Sequence, residues 1–262
     1  MSDITDILND WPYDPAASVR KIVAEDGRGL IQVRTPLGIE QYELEGRPDG
    51  ERPYGCESVL EHVEARLNEH RARFGSTDTF ELERADAVEL QQEGVLYYYR
   101  YLVCFQIGEH EITVLDSERN LRMFDLVRSH CKDSETVADN EQYRPYVLRM
   151  AAAARSLMAV GETNHETARR VLEEAIVVIR NLPEVQRSTF RYEKKRSLAI
   201  LSGMRKALPK THALTQRELL ERELTKAVHE EDYERAADIR DRLKQLSPGQ
   251  RREPHPTPTN DD

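Results

Sequence analysis

Apolar and polar residues alternate with a period of two in only one part of the chain. Leu30-Ile31-Gln32-Val33-Arg34-Thr35 and Ile39-Glu40-Gln41-Tyr42-Glu43-Leu44 each contain the alternation of a half-buried strand. Pro36-Leu37-Gly38 lies between them, and a break of this kind suits a hairpin turn. Two strands alone are marginal in water, so their apolar side needs a cover. The nearest candidate is the stretch from Glu57 to Arg73, where Val59, Leu60, Val63 and Leu67 form one helical stripe. A turn-rich loop, Gly46-Arg47-Pro48-Asp49-Gly50-Glu51-Arg52-Pro53, joins the two. Residues 1–78 are therefore predicted to form a small α+β unit with a β-hairpin.

From Phe80 to Leu208 the period becomes helical. Leu82 to Ile107 carries Leu90, Val95, Leu96, Tyr99, Leu102, Val103 and Phe105 and stops at Gly108; a second helix runs from Glu111 to His130. Asp133 to Asn140 is polar and is read as a loop. A third helix covers Tyr146 to Val160 and stops at Gly161. A fourth covers His165 to Leu182, with Val171, Leu172, Ala175, Ile176 and Ile179 on one face, and a fifth runs from Glu184 to Ala207, ended by Pro209. Gly108 and Gly161 are placed as left-handed caps. The paired plan of this body, residues 79–209, resembles tetratricopeptide repeats, in which each helix pair buries its face against its neighbours. The two glycines are 53 residues apart, beyond the ~34-residue repeat, and the signature Trp and Pro are missing. The expected fold is mainly α: the small α+β unit, an array of antiparallel helical hairpins, and a terminal two-helix hairpin. Residues 247–262 hold Pro248, Pro254, Pro256 and Pro258 without an apolar pattern and are expected to be disordered.

Composition narrows the function classes. With 39% hydrophobic and 33% charged residues, the chain reads as a soluble protein with a charged surface. Its net charge of −10 argues against binding nucleic acid over the whole surface, which needs clustered Lys and Arg. Cys56, Cys104 and Cys131 are odd in number and widely spaced, a poor disulfide framework that suits a reducing cytoplasm. The start of the chain lacks the blocks of a signal peptide, and no run approaches the ~18 apolar residues of a membrane span. A cytoplasmic protein without membrane association is expected.

The most specific pattern lies at residues 214–246. Leu220, Leu224, Ala227 and Val228 share one face of a first short helix; Tyr233, Ala236, Ala237, Ile239, Arg240 and Leu243 gather on a second. Glu230-Glu231-Asp232 lies between, with Asp232 placed to cap the second helix. Leu224, Ala227, Asp232, Tyr233, Glu234, Ala236, Ala237, Arg240, Asp241 and Leu243 fill, in order, the pattern of the UVR motif. This stretch resembles that motif as it occurs in the excision-repair proteins UvrB and UvrC and in some Clp-protease adaptors. The resemblance implies pairing with another helical motif through Leu220, Leu224, Ala227, Tyr233, Ala236, Ala237, Arg240 and Leu243. The implied partner is a Uvr repair protein or a Clp-system component, with homodimerisation as the alternative. The bland alternative is an ordinary amphipathic hairpin. The paired-cysteine zinc sites of the Clp adaptors, the helicase motifs of UvrB and the nuclease domain of UvrC are absent from the sequence. An accessory role in nucleotide excision repair is thus the favoured expectation.

Two other features compete for a role. Between Arg187 and Arg217, Arg191, Lys194, Lys195, Arg196, Arg205 and Lys206 contribute to a net +8 in a chain of −10. Such a segment can meet phosphates or an acidic partner, or can be a solvated face balanced by the acidic elements around it. Tyr97-Tyr98-Tyr99-Arg100-Tyr101 winds around a helix, so one or two rings should face the core and the rest its rim, a packing role. No H-E-x-x-H, P-loop or G-x-S-x-G pattern occurs. The expectation is no catalytic residue, no metal and no cofactor.

Overall fold

The computed structural model describes residues 3–209, 216–229 and 232–245. Residues 247–262, expected to be disordered, lie outside them. The chain divides into two compact units, Met1–Pro209 and Lys210–Asp262.

The first unit opens with a short helix α1 (Thr5–Asp10) and three strands, β1 (Val19–Val23), β2 (Gly29–Thr35) and β3 (Gly38–Glu43). They form one antiparallel sheet in the order β1-β2-β3. The hairpin expected from the alternation is β2–β3, with Ile31 opposite Tyr42 and Thr35 opposite Gly38. Strand β1 is an addition, pairing Val19 with Val33 and Val23 with Gly29. The cover of the sheet corrects the sequence expectation. Ile31 and Tyr42 pack on Val103 and Cys104, with Ile112 alongside, residues that follow the expected helix in sequence. Val59, Leu60 and Val63 instead join Leu90, Met123, Phe124 and Val127 in the central core.

The helical body comprises α2 (Val59–Phe74), α3 (Arg84–Gln106), α4 (His110–His130), α5 (Ser134–Glu141), α6 (Arg144–Gly161), α7 (His165–Arg180) and α8 (Ser188–Ala207). Local signals set its boundaries. Ser58 Oγ accepts from Glu61 N–H at 3.0 Å, a side-chain N-cap, and Gly75 closes α2 at φ 74°. Gly108 ends α3 with φ 84°, as expected. Gly161 does not play that part: it is the last residue of α6, and Thr163 takes the left-handed conformation at φ 56°. The segment read as a loop after Asp133 is the helix α5. Asp133 caps it, accepting from Glu135 N–H at 3.1 Å and from the Thr136 hydroxyl at 2.7 Å. Its polar sequence hides a buried side made of Thr136, Asn140 and Glu141: the Thr136 hydroxyl donates to Asp133, the Asn140 amide nitrogen donates to Thr136 C=O, and the Glu141 carboxylate accepts from Arg144.

Helix α4 packs on α3 and on α6, α6 packs on α7, and α8 covers both α6 and α7. Gly94 faces α4, where a Cβ would meet the Met123 methyl at 2.8 Å and require that flexible side chain to shift. The α6–α8 layer is closed by Leu172, Ile176, Ile179 and Leu201 over Ala152 and Ala153. Ala-rich α6 lets its neighbours come near.

Several charged groups are buried inside this core as paired sets. Arg100 grips Asp116 through two bonds of 2.8 and 2.6 Å, and its third nitrogen donates to the carbonyls of Glu43 and Gly46, each at 2.8 Å. The guanidinium thus ties the end of the sheet to α3 and α4. Glu93, 1% exposed, accepts from the first backbone amides of α2, Val59 at 2.7 Å and Leu60 at 3.2 Å. An anion there complements the helix N-terminus. Arg119 forms an ion pair with Glu93. Burial pulls its guanidinium down to about 9, so it remains a cation at neutral pH. Burial also pushes the Cys104 thiol, under the sheet, up to about 12, so it is an unreactive packing residue.

Candidate functional site

The second unit holds two helices, α9 (Gln216–His229) and α10 (Tyr233–Gln245), packed on one another. Their interior is a small cluster of Leu220, Ala227, Ala236 and Ile239, flanked by Leu224 and Leu243. On α9 these inward positions recur at i, i+4 and i+7; on α10 they recur at i, i+3 and i+7, the stripe of an amphipathic helix. Alanine at 227 and 236 keeps the two backbones close. The turn is fixed by hydrogen bonds: Asp232 N–H donates to Ala227 C=O at 2.9 Å, and the Asp232 carboxylate accepts from Arg235 N–H at 3.1 Å. Asp232 is thus the N-cap of α10 that its place in the sequence implies.

The residues chosen from the sequence as partner contacts separate into two groups. Leu220, Ala227 and Ala236 are buried between the helices, with Leu224 and Leu243 partly so. They build the hairpin. Tyr233 is 69% exposed, Arg240 is exposed and Ala237 is half-buried. These three recur at i, i+4 and i+7, so they form a second stripe on α10, turned away from the inward one. Val228, at the end of α9, adds an apolar side chain that is 51% exposed. Ile239, deep in the hairpin, is a structural residue of the inward stripe, legible from its spacing to Ala236 and Leu243.

The basic segment on α8 also divides. Lys194 donates to Leu182 C=O at 2.9 Å and stands over the Phe190 ring. Arg196 approaches Glu193 and Arg205 approaches Glu173, each at 3.6 Å. Arg187 reaches Glu135 at 2.7 Å and Asp139 at 3.1 Å. Arg191, Lys195 and Lys206 are exposed, and their spacing puts them on one side of the helix. Arg187 and Arg205 are thus paired with acids outside the segment, while Glu193 is the acid already counted within the +8. Lys210 lies outside the described residues, as does the side chain of Arg217.

Of the tyrosine run, Tyr97 and Tyr101 are buried and Tyr99 is 48% exposed, the division expected for consecutive residues on a helix. Among the described residues, no group of three or more His, Cys, Asp or Glu side chains is placed to hold a metal ion. No described helix is long and apolar enough to cross a membrane.

Comparison with known proteins adds one finding. The family model of the UvrB/uvrC motif matches residues 216–247, the stretch that folds as α9 and α10. No curated protein and no solved structure matches the chain.

Proposed function

We propose that this chain is a non-catalytic interaction protein that docks through the α9–α10 hairpin onto a UVR-type helical motif, as an accessory to nucleotide excision repair. One observation carries the reading: residues 216–247 match the UvrB/uvrC motif on a hairpin that closes its own apolar interior and leaves Tyr233 and Val228 outside. Large aromatic side chains flanked by Arg are the usual anchors of a protein interface. The docking surface is then the outer stripe of Tyr233, Ala237 and Arg240 together with Val228. Leu220, Leu224, Ala227, Ala236 and Leu243 keep that stripe in shape. The Clp-adaptor alternative has less support, because dispersed Cys56, Cys104 and Cys131 supply no paired-cysteine site.

The test is direct binding of the purified full chain to purified UvrB and UvrC. Binding to at least one is expected, and Tyr233→Asp should weaken it about tenfold or more, a loss typical of an interface anchor. Failure to bind either protein, or unchanged binding by the Tyr233→Asp variant, contradicts the proposal. Sedimentation of the full chain alone identifies the case in which a second copy occupies the same stripe.

A further inference from the structure

Helix α8 buries its apolar side and turns a basic one to solvent. Phe190 and Leu201 are buried, while Arg191, Lys195, Arg196 and Lys206 are exposed. The single acid of the helix, Glu193, is only 9% exposed, so no carboxylate stands on the outer side. From Lys194 to Pro209 the chain holds no Asp or Glu, although acids outnumber Lys and Arg by 48 to 38 over its length. Two exposed acids of the neighbouring α7 are already engaged: Glu173 faces Arg205 at 3.6 Å and Glu174 faces Arg170 at 3.3 Å. Among the described residues, no carboxylate forms an ion pair with Arg191, Lys195 or Lys206. The Arg196 charge is only partly offset, because Glu193 at 3.6 Å also serves Arg149 at 3.7 Å.

These cations are ordered along the helix. Arg191, Lys195 and Lys206 share one side, with Arg196 at its border. From Arg191 to Lys206 the row extends about 22 Å, at ~1.5 Å per residue. Exposed Ala199 and Gly203 stand between Arg196 and Lys206, and a Cβ on Gly203 would meet nothing within 4 Å. The middle of the row is therefore low and open, with three cations towards one end and Lys206 at the other.

A row of one sign and this length fits a regular polyanion. A membrane surface is a poor match, because an interfacial helix sinks its apolar side into lipid, and that side of α8 is closed in the core through Leu201. A protein partner needs apolar or aromatic anchors at the centre of its footprint, and Ala199 and Gly203 supply none. Tyr192, 63% exposed, is a lone ring on this side, not the ladder of rings that grips a single strand. Duplex DNA carries one charge per ~1.7 Å of axis and has a major groove ~12 Å wide. The two ends of the row can thus meet phosphates on both edges of that groove. We propose that the outer side of α8 binds the phosphate backbone of duplex DNA, holding it by charge without reading its sequence. This site lies in the first unit and does not depend on the partner proposed for the α9–α10 hairpin.

Fluorescence anisotropy of the full chain with a short labelled DNA duplex, repeated over a range of salt, tests the idea. Four phosphate contacts predict an affinity that falls about a hundredfold between about 50 and 200 mM salt. The double variant Lys195→Gln with Lys206→Gln should roughly halve the slope of log affinity against log salt, since each contact contributes about one to it. Its circular dichroism spectrum should be unchanged. Lys132→Gln, at an exposed lysine paired with Glu81, should leave both affinity and slope as they are. Tyr233→Asp should do the same, which separates this site from the hairpin. A duplex of scrambled sequence should bind equally. Absence of binding at low salt, an unchanged slope in the folded double variant, or tighter binding of a matched single strand or of polyglutamate overturns the proposal.

Discussion

Arg100 has a side chain only 4% exposed, and it satisfies Asp116 on one side and two backbone carbonyls, Glu43 and Gly46, on the other. Removing it would leave the Asp116 carboxylate buried without its partner and take a donor from two part-buried carbonyls. Arg100→Met alone is expected to cost about 3–5 kcal/mol, as for other buried ion pairs broken on one side. The double variant Arg100→Met with Asp116→Leu should recover much of that loss. Urea unfolding of the four proteins of this cycle decides it, and a double variant as unstable as the sum of the singles would contradict the assignment. At the start of α5, Asp133 is held below the usual carboxylate range, first by its bond from the Thr136 hydroxyl and further by the Glu135 amide and Arg84. Because the folded value is lowered, the cap contributes above the ordinary aspartate value and is lost as pH falls through the folded one. An NMR titration of the Asp133 carboxyl should show a midpoint below that of a free aspartate; a midpoint at the free value would contradict the cap. At this scale the sequence is informative where spacing decides orientation, as in Tyr97 to Tyr101. It is silent on Glu93 and Arg100, since charged residues in a helix read as solvent-facing unless their distant partners are known.

The elements differ in how visibly their sequences announce them. Strands β2 and β3 carry an apolar period of two, and α7 carries its stripe of Leu172, Ile176 and Ile179. Helix α5 carries no apolar stripe, because its buried side is Thr136, Asn140 and Glu141. Strand β1 is an edge strand with no buried residue, so its alternation has little to report. The identity of the helix beneath the sheet depends on long-range packing, which local periodicity does not encode. The hairpin α9–α10 is the clearest case of a legible element: spacing places Leu220, Leu224 and Ala227 on one face and Asp232 at the cap. Which residues of α10 turn inward depends on how the two helices meet, and Tyr233 turns out to be free. Two substitutions separate these roles. Ala227→Leu, at a position 1% exposed, should overpack the hairpin and destabilise it by about 1–3 kcal/mol, read as an earlier melting transition of this unit. Tyr233→Asp should leave that transition in place, and a comparable loss of stability would show that Tyr233 packs within the hairpin.

The chain as a whole consists of two units joined after Pro209. The first has its own sheet, its own apolar clusters and its own buried ion pairs, and the second closes a separate apolar cluster. Each core is thus self-contained, as a domain requires. A chain ending at Pro209 should therefore melt at the temperature of the first unit in the intact protein, and a large downward shift in calorimetry would contradict that independence. The central claim is that partner binding resides in the α9–α10 hairpin and on the outer side of α10. Affinity capture from native cell lysate, comparing the intact chain, the chain ending at Pro209 and the Tyr233→Asp variant, tests it most directly. The account predicts that UvrB or UvrC is recovered with the intact chain and with neither of the others. Recovery of the same proteins by all three would place the binding surface in the first unit and contradict it.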